Sequence, residues 1–523
     1  MPTGIRDRNE TCSLPIICKA DPVKSGEQFG RGARYFLLLN PGLVVINPWS
    51  RRDMFGHLIA GGVALHMPHA SAKELRVPVE AGASLPNIAI LPLFIDASRA
   101  RLPGACAMVW TGGHSRIGQG AACYGHDPVV TAAYVLAHPR TAFIDADGRG
   151  FRLLVQDVNV RQTGAIGDGR ADDTAAIQEA LAIVEKAGGG IVGIPSGEYR
   201  TTAPVTLPAR TALRGVGPAS VLRVQGCDGI VIAASDGIGP RSVCDFMVHG
   251  QECEDFSAIV INIPDNQRAQ GIVFERLYLS FFGTGVRSRG LWHATFRTVT
   301  MNQVWSGLVL NGRNVKITID DCRITHGGLL RKTGDTVGVQ VGDAPSATRP
   351  EDVQIDRSII YGFDKAIVWR TALFGGVQNC DLDACVRTGL ELITADGGFT
   401  FANNWIQVEG AALSGISCSA LGYNPHLTNI LIANNHIVVR APSPGSCGIA
   451  IGNQQSDLTV EGNGISGPWE NGIHANGVRR LCVRNNKVES RIVVERCTDV
   501  AVEQNFAGAG VHLSGNSPPG TSS

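Results

Sequence analysis

DVNVRQTGAIGDGRADDTAAIQEALAIVEKAGGGIVGIPSGEYR, residues 157–200, is the stretch on which the fold turns. Val158 to Val160 reads as a short strand, and Gly167, Asp168 and Gly169 as a turn. A helix over 172–187 follows, because Ile177, Leu181 and Val184 recur at i, i+4 and i+7 and share one face of a 3.6-residue period. Asp172 or Asp173 can cap its start, and Gly188-Gly189-Gly190 ends it. The β-branched run Ile191 to Ile194 reads as a strand, closed by Pro195-Ser196-Gly197 and Tyr199.

From about residue 270 the chain repeats a unit of 19 to 36 residues. Its first strand and turn read FERLYL (274), FRTVTM (296), IDDCRI (319), IDRSII (355), VQNCDL (377), FANNWI (401), IANNHI (432), VEGNGI (460), VRNNKV (483) and VEQNFA (502). A second strand interleaves, as in GLVL (307), GVQV (338), GLEL (389), GISC (415), GIAI (448), GIHA (472) and GVHL (510). Stacked coils of short strands supply the wide crossovers that parallel pairing requires. The fourth position of the first unit ends in Asn404, Asn435, Asn463, Asn486 and Asn505. Such a column satisfies the backbone polar groups that each buried bend exposes.

These features resemble the pectate-lyase-like right-handed β-helix superfamily, whose opening segment takes the form N-V-x-x-x-G-A-x-G-D-G-x-x-D-D-T-x-A-I-Q, then a Gly-rich turn and P-x-G-x-Y. Nearly every position is filled here. The resemblance implies an all-β chain: a right-handed, single-stranded parallel β-helix over 157–515, capped by the helix 172–187. It carries no chemistry, since members include lyases, hydrolases, epimerases and phage tailspikes. Residues 1–156 show no comparable repeat and read as a β-rich module. Within it, LPLFIDASRARLP (91–103) and FIDADGRGFRL (143–153) resemble attachment modules of phage tail fibres and spikes. Residues 516–523 read as a flexible tail.

Composition narrows the classes. Sixty-four glycines and 18% charged residues in a chain of 523 suit a turn-rich β protein. A formal net charge of zero and a pI near 7.2 leave no basic field to gather nucleic acid or anionic membrane. Tyr35 to Trp49 is apolar but broken by Asn40, Pro41, Asn47 and Pro48, so it does not read as a membrane helix, and no secretory signal is read. Fourteen cysteines without paired C-x-x-C spacing point to neither zinc nor a disulfide scaffold, and no metal site is expected. Cys322, Cys380 and Cys418 fall at apolar positions, where buried reduced thiols are expected. Assembly in a host cytoplasm fits this. GAIGDG has part of a dinucleotide fingerprint but lacks the βαβ context.

Strand alternation assigns faces: positions one, four and six of the first unit point in, and two, five and seven point out. Position five makes an exterior stripe that includes Arg323, Ile359, Asp381, Trp405 and His436. Position seven includes Tyr361, Asp383 and Gln407. Asp381 and Asp383 therefore share a face, with Trp405 and Gln407 on the next coil and Tyr361 on the previous one. Carboxylates two residues apart on a strand are separated by roughly 6.7 Å, within reach of the roughly 6.5–9.5 Å of inverting glycosidases. Glu391, outward on the second strand of the same coil, is a third candidate acid. Arg323, with His326, can bind a uronate or serve a lyase. The plain alternative is that these acids, like Asp320, Asp356 and Asp364, are solvated exterior charges.

By the tailspike resemblance, the chain is expected to be a homotrimer in a virion tail, held by residues 1–156 to a phage tail or baseplate protein. It would bind a bacterial surface polysaccharide and depolymerise it by endo-hydrolysis, without a cofactor. Two other readings stay open: a polysaccharide lyase using Ca²⁺, and a glycan-binding spike or adhesin that cuts nothing. The G-H-G and R-I-K motifs of polygalacturonases, W-I-D-H of pectate lyases and D-P-H-E of alginate epimerases are all absent, so no catalytic residue carries over by motif.

Overall fold

The computed structural model describes residues 87–154, 157–235, 241–327, 335–343, 348–393, 397–409, 412–419, 429–452 and 456–517, with the strands Tyr35–Leu39 and Gly42–Ile46. Contacts divide the chain into Met1–Pro78 and Val79–Ser523. In the first unit the two strands pair antiparallel, Tyr35 opposite Ile46. The rest of the expected module before residue 87, loop residues 328–334 and tail residues 518–523 lie outside the described residues.

In the second unit the 157–200 segment closes one end of a solenoid. Strand Val158–Asn159 runs into a 3₁₀ turn, Val160–Thr163, and the helix is Thr174–Lys186. Asp172 Oδ1 accepts the Thr174 N–H at 3.0 Å. Asp173 turns back instead, accepting the N–H groups of Ile166 at 2.7 Å and Gly167 at 3.0 Å. This folds the GAIGDG loop under Tyr199: Gly167 has φ 67°, and a Cβ there would lie 2.8 Å from the tyrosine ring. Only glycine fits. The helix buries Ala176, Ile177, Ala180, Leu181 and Val184 over the first coil.

Every later strand pairs in parallel with its counterpart one coil on. A typical coil has three short strands, Gly375–Gln378, Asp381–Cys385 and Thr388–Leu392. The first corner is made by the third residue of the unit, which is left-handed in coil after coil: Asp321, Arg357, Asn379, Asn403, Asn434 and Asn485 have φ between 47° and 59°. The fourth residue then points inward. Asn404 Nδ2 donates to Val377 O at 3.0 Å and to Asn435 Oδ1 at 2.9 Å, while its own Oδ1 accepts the Cys380 N–H at 2.9 Å. The same bonds continue through Asn463 and Asn486 to Asn505. Cys322 and Cys380 head this column as free thiols, and burial pushes both up to about 12.

The second corner needs glycine for a different reason. A Cβ on Gly415 would lie 2.3 Å from Ile437 Cγ2 and 2.7 Å from Gly448 O, and Gly307, Gly338, Gly389 and Gly448 are equally tight. One second strand escapes the sequence pattern: Arg491–Glu495, which opens on arginine and pairs with Asn471–Asn476 across a register shift at Gly472. The last coil also extends past the expected boundary. Asn516 Oδ1 accepts the Cys497 N–H at 2.8 Å, and its Nδ2 donates to Val494 O at 2.7 Å. Position 516 is thus part of the solenoid.

Ahead of the helix, strands Ile88–Leu91, Met108–Thr111, Ala122–His126, Gly150–Leu153 and Ala142–Ile144 make a sheet in that spatial order. Its core stacks Phe94 on Tyr124 (5.1 Å) and Phe143 on Phe151 (5.1 Å). Ile183 of the helix packs against this core as well as the solenoid's, and Thr141 Oγ1 donates to Glu179 Oε1 at 2.7 Å.

Candidate functional site

Register fixes the exterior row. Arg323 lies beside Ile359, Ile359 beside Asp381, Asp381 beside Trp405, and Trp405 beside His436, each one coil apart. Tyr361 lies beside Asp383. Arg323, Asp381, Trp405, Tyr361 and Asp383 are therefore brought to one face.

Gln407 is not in register with Asp383. A bulge follows Asp383, with Ala384 at φ 50°, and pairing resumes at Cys385 opposite Val408. The Gln407 amide is committed to Glu409 Oε1 at 2.6 Å, and Glu409 also pairs with Arg440 at 2.9 Å. Glu391 is drawn away too: it sits on the next strand round the coil, its carboxylate 2.8 Å from Lys365 Nζ.

The two aspartates differ in surroundings. Asp381 is half-buried between Ile359 and Trp405, each 41% exposed, and its Oδ1 is buried with no hydrogen-bond partner. Desolvation, and then the charge of Asp383, push its carboxyl above the ordinary carboxylate range. Asp383 Oδ1 accepts the Ala384 N–H at 2.7 Å, so the bulge that displaces Gln407 also anchors this side chain. Carboxyls in environments that push them apart can divide acid and base roles.

The other acids have structural partners. Asp320 and Asp356 both pair with Arg357, and Asp364 accepts the Thr336 N–H and hydroxyl, each at 2.9 Å. His326 Nδ1 is 3.0 Å from Val304 O, and its ring lies between Trp305 and Phe363 at 5.8 and 5.5 Å. That histidine braces a corner. Among the described residues no group of three His, Cys, Asp or Glu side chains is placed to hold a metal ion.

Two features escape the strand-alternation reading. Trp405 and His436 stack at 4.6 Å and 16°, forming one platform across two coils. Lys487 lies further along the same row, beside Gly464, which lies beside His436, and the exposed Phe506 follows it on the last coil. Lys487 was visible in VRNNKV, whose fifth position it fills. Two concavities among the described residues lie off this row: a groove of about 510 Å³ past Leu431, Thr459 and Cys482, and a hollow of about 660 Å³ beside Phe94, Val135 and Phe143.

Residues 157–263 match the family model "Rhamnogalacturonase A/epimerase, pectate lyase-like", and residues 284–465 match "Right handed beta helix region". The tail spike protein of Shigella phage Sf6 is 27% identical over 269 residues, covering 48% of this chain and 43% of that protein. A mannuronan C5-epimerase of Azotobacter vinelandii is 56% identical over 46 residues, 9% of this chain and 2% of that protein. This chain thus spans less than half the length of these curated relatives. Among solved structures, the tailspike protein of Acinetobacter baumannii bacteriophage Fri1, a capsular polysaccharide depolymerase, superposes with a TM-score of 0.52 at 12% identity, over 81% of this chain and 75% of that one. The chain carries pectate-lyase-like and right-handed parallel β-helix domains.

Proposed function

We propose that the chain is a phage tailspike that binds a bacterial surface polysaccharide and cuts it internally by hydrolysis. The observation that carries the proposal is the half-buried Asp381 carboxyl, unpaired at Oδ1, beside Asp383 and an exposed aromatic platform. In this reading Asp381 holds the proton and gives it to the leaving glycosidic oxygen. Asp383 takes a proton from a water that attacks the opposite face of the sugar, so the anomeric configuration inverts. Trp405 and Tyr361 hold sugar rings through their apolar faces. The bond from the anomeric carbon to the leaving oxygen breaks as the bond to the water oxygen forms, one proton passing from Asp381 to the leaving group and one from the water to Asp383, and no step needs a cofactor.

The tail spike relative supports the virion setting, in which three chains associate and residues 1–156 join a tail or baseplate protein. The test is to incubate the purified protein with a panel of bacterial surface polysaccharides and follow polymer size and reducing ends. Shortening that is lost in Asp381→Asn and in Asp383→Asn supports the assignment. An unsaturated, ultraviolet-absorbing product would select a lyase, and binding with unchanged polymer length would select an adhesin. Full turnover in both variants would sink the assignment of the pair.

A further inference from the structure

Many exterior arginines of the solenoid stand beside an acid on a neighbouring coil: Arg276 is 2.6 Å from Asp245, Arg484 2.6 Å from Glu461, and Arg440 2.9 Å from Glu409. The Asp381 row is different. Arg323 reaches Asp381 through Ile359, and on the other side Trp405, His436 and Gly464 lead to Lys487. Arg323 and Lys487 are both exposed, and neither has a carboxylate partner among the described residues. Between Asp381 and Lys487 the row carries rings and a glycine but no charge of fixed sign. Gly464 leaves room for the His436 ring, since a Cβ there would lie 3.3 Å from His436 Nδ1.

Coils repeat at about 4.8 Å, which sets Arg323 about 10 Å from Asp381 and Lys487 about 19 Å beyond it on the other side. An extended glycan advances by a similar step per sugar. Cations this far apart, with a stacked ring platform between them, do not match a backbone charged at every unit such as a nucleic acid. They match a polymer whose charges are spaced by neutral sugars. A planar guanidinium with no acid beside it among the described residues is suited to a carboxylate.

We propose that this face takes an acidic glycan lying along the solenoid axis, with a sugar carboxylate on Arg323 about two sugars from the linkage at Asp381. Lys487 draws the same polymer further along the row. The inference deepens the hydrolase reading and rests on it for the point of cleavage, but not for binding.

The experiment uses the full chain with uronate-bearing capsular and exopolysaccharides, each beside its carboxyl-reduced form, and reads size, kcat and KM. The acidic polymers are expected to be shortened and their reduced forms spared. Arg323→Ala should raise KM about tenfold or more with kcat within about twofold, and Arg323→Lys should recover part of the loss. Lys487→Ala should have a smaller effect that disappears in high salt. Equal turnover of a reduced polymer, or an unchanged KM in Arg323→Ala, overturns this inference and leaves the Asp381 assignment standing. Normal turnover in Asp381→Asn with weakened binding in Arg323→Ala does the reverse. If co-sedimentation shows that Asp381→Asn binds no acidic polymer in the panel, the inference also falls.

Discussion

Asp381 carries a destabilising arrangement that its chemistry can use. Its folded carboxyl binds a proton more tightly than the unfolded chain's does, because burial and Asp383 both oppose ionisation. Stability from this group is therefore present at low pH and is lost as pH rises from the unfolded value, about 3.9, through the raised folded one. Asp381→Asn should raise the melting temperature at pH 7, with the gain shrinking below about pH 4, where the native carboxyl is protonated anyway. The same variant should lose roughly 10²–10⁴-fold of any glycan-cleaving turnover. Thermal scans at the two pH values and reducing-end assays check the pair of effects; a lower melting temperature at neutral pH would contradict the desolvation argument. How much of this site could be read beforehand varied with the residue. Arg323, Asp381, Trp405, Tyr361 and Asp383 follow from alternation alone, because strand periodicity decides facing. Gln407 and Glu391 do not, because a one-residue bulge and a lysine on the preceding coil are invisible to a count of alternate positions.

At the scale of the element, the coils are held by two inward columns that do different work, asparagines from Asn404 to Asn505 and glycines at most second corners. Removing the Asn435 carboxamide takes the partner from the Asn404 N–H, one of the two acceptors from Asn404 Nδ2 and the amide donor from Phe401 O at once. Asn435→Ala should cost about 2–4 kcal/mol, read as a lower denaturation midpoint in guanidinium. Gly415→Ala should cost about 1–3 kcal/mol by forcing Ile437 and the Gly448 carbonyl apart. Gly452→Ala, where a Cβ would meet nothing within 4 Å, is the matched control and should be silent by comparison. The asparagine column is legible in sequence because one residue type repeats at one position. The glycine column repeats as well, yet its cause is steric and lies on the neighbouring strand. The coil that opens on Arg491 is missed for that reason: its partner Gly472 bulges out of register, and the local pattern loses its marker.

At the scale of the molecule, none of the twelve cysteines of the described residues is in a disulfide, and most are buried. Among these twelve, a thiol reagent should react in the native protein slowly and first at the half-buried Cys123 and Cys482, whereas all 14 of the chain should react in denaturant. Fast native reaction of Cys380 or Cys418 would mean that the coils open. Light scattering should give about three times the 55.3 kDa chain mass if the proposed association holds, and a clean monomer would count against it. The left-handed corner residues have a consequence for how such a surface changes over generations. They turn the chain at the same place in every coil while their own side chains stay outside the packed interior. A whole coil can thus be duplicated or deleted without a new corner having to be invented, and the recognition row would grow or shrink by one rung with its ends intact. Inserting a single residue within a strand has no such freedom: it turns the outward side chains that follow it in that strand into the core, save where a bulge such as that at Ala384 absorbs it.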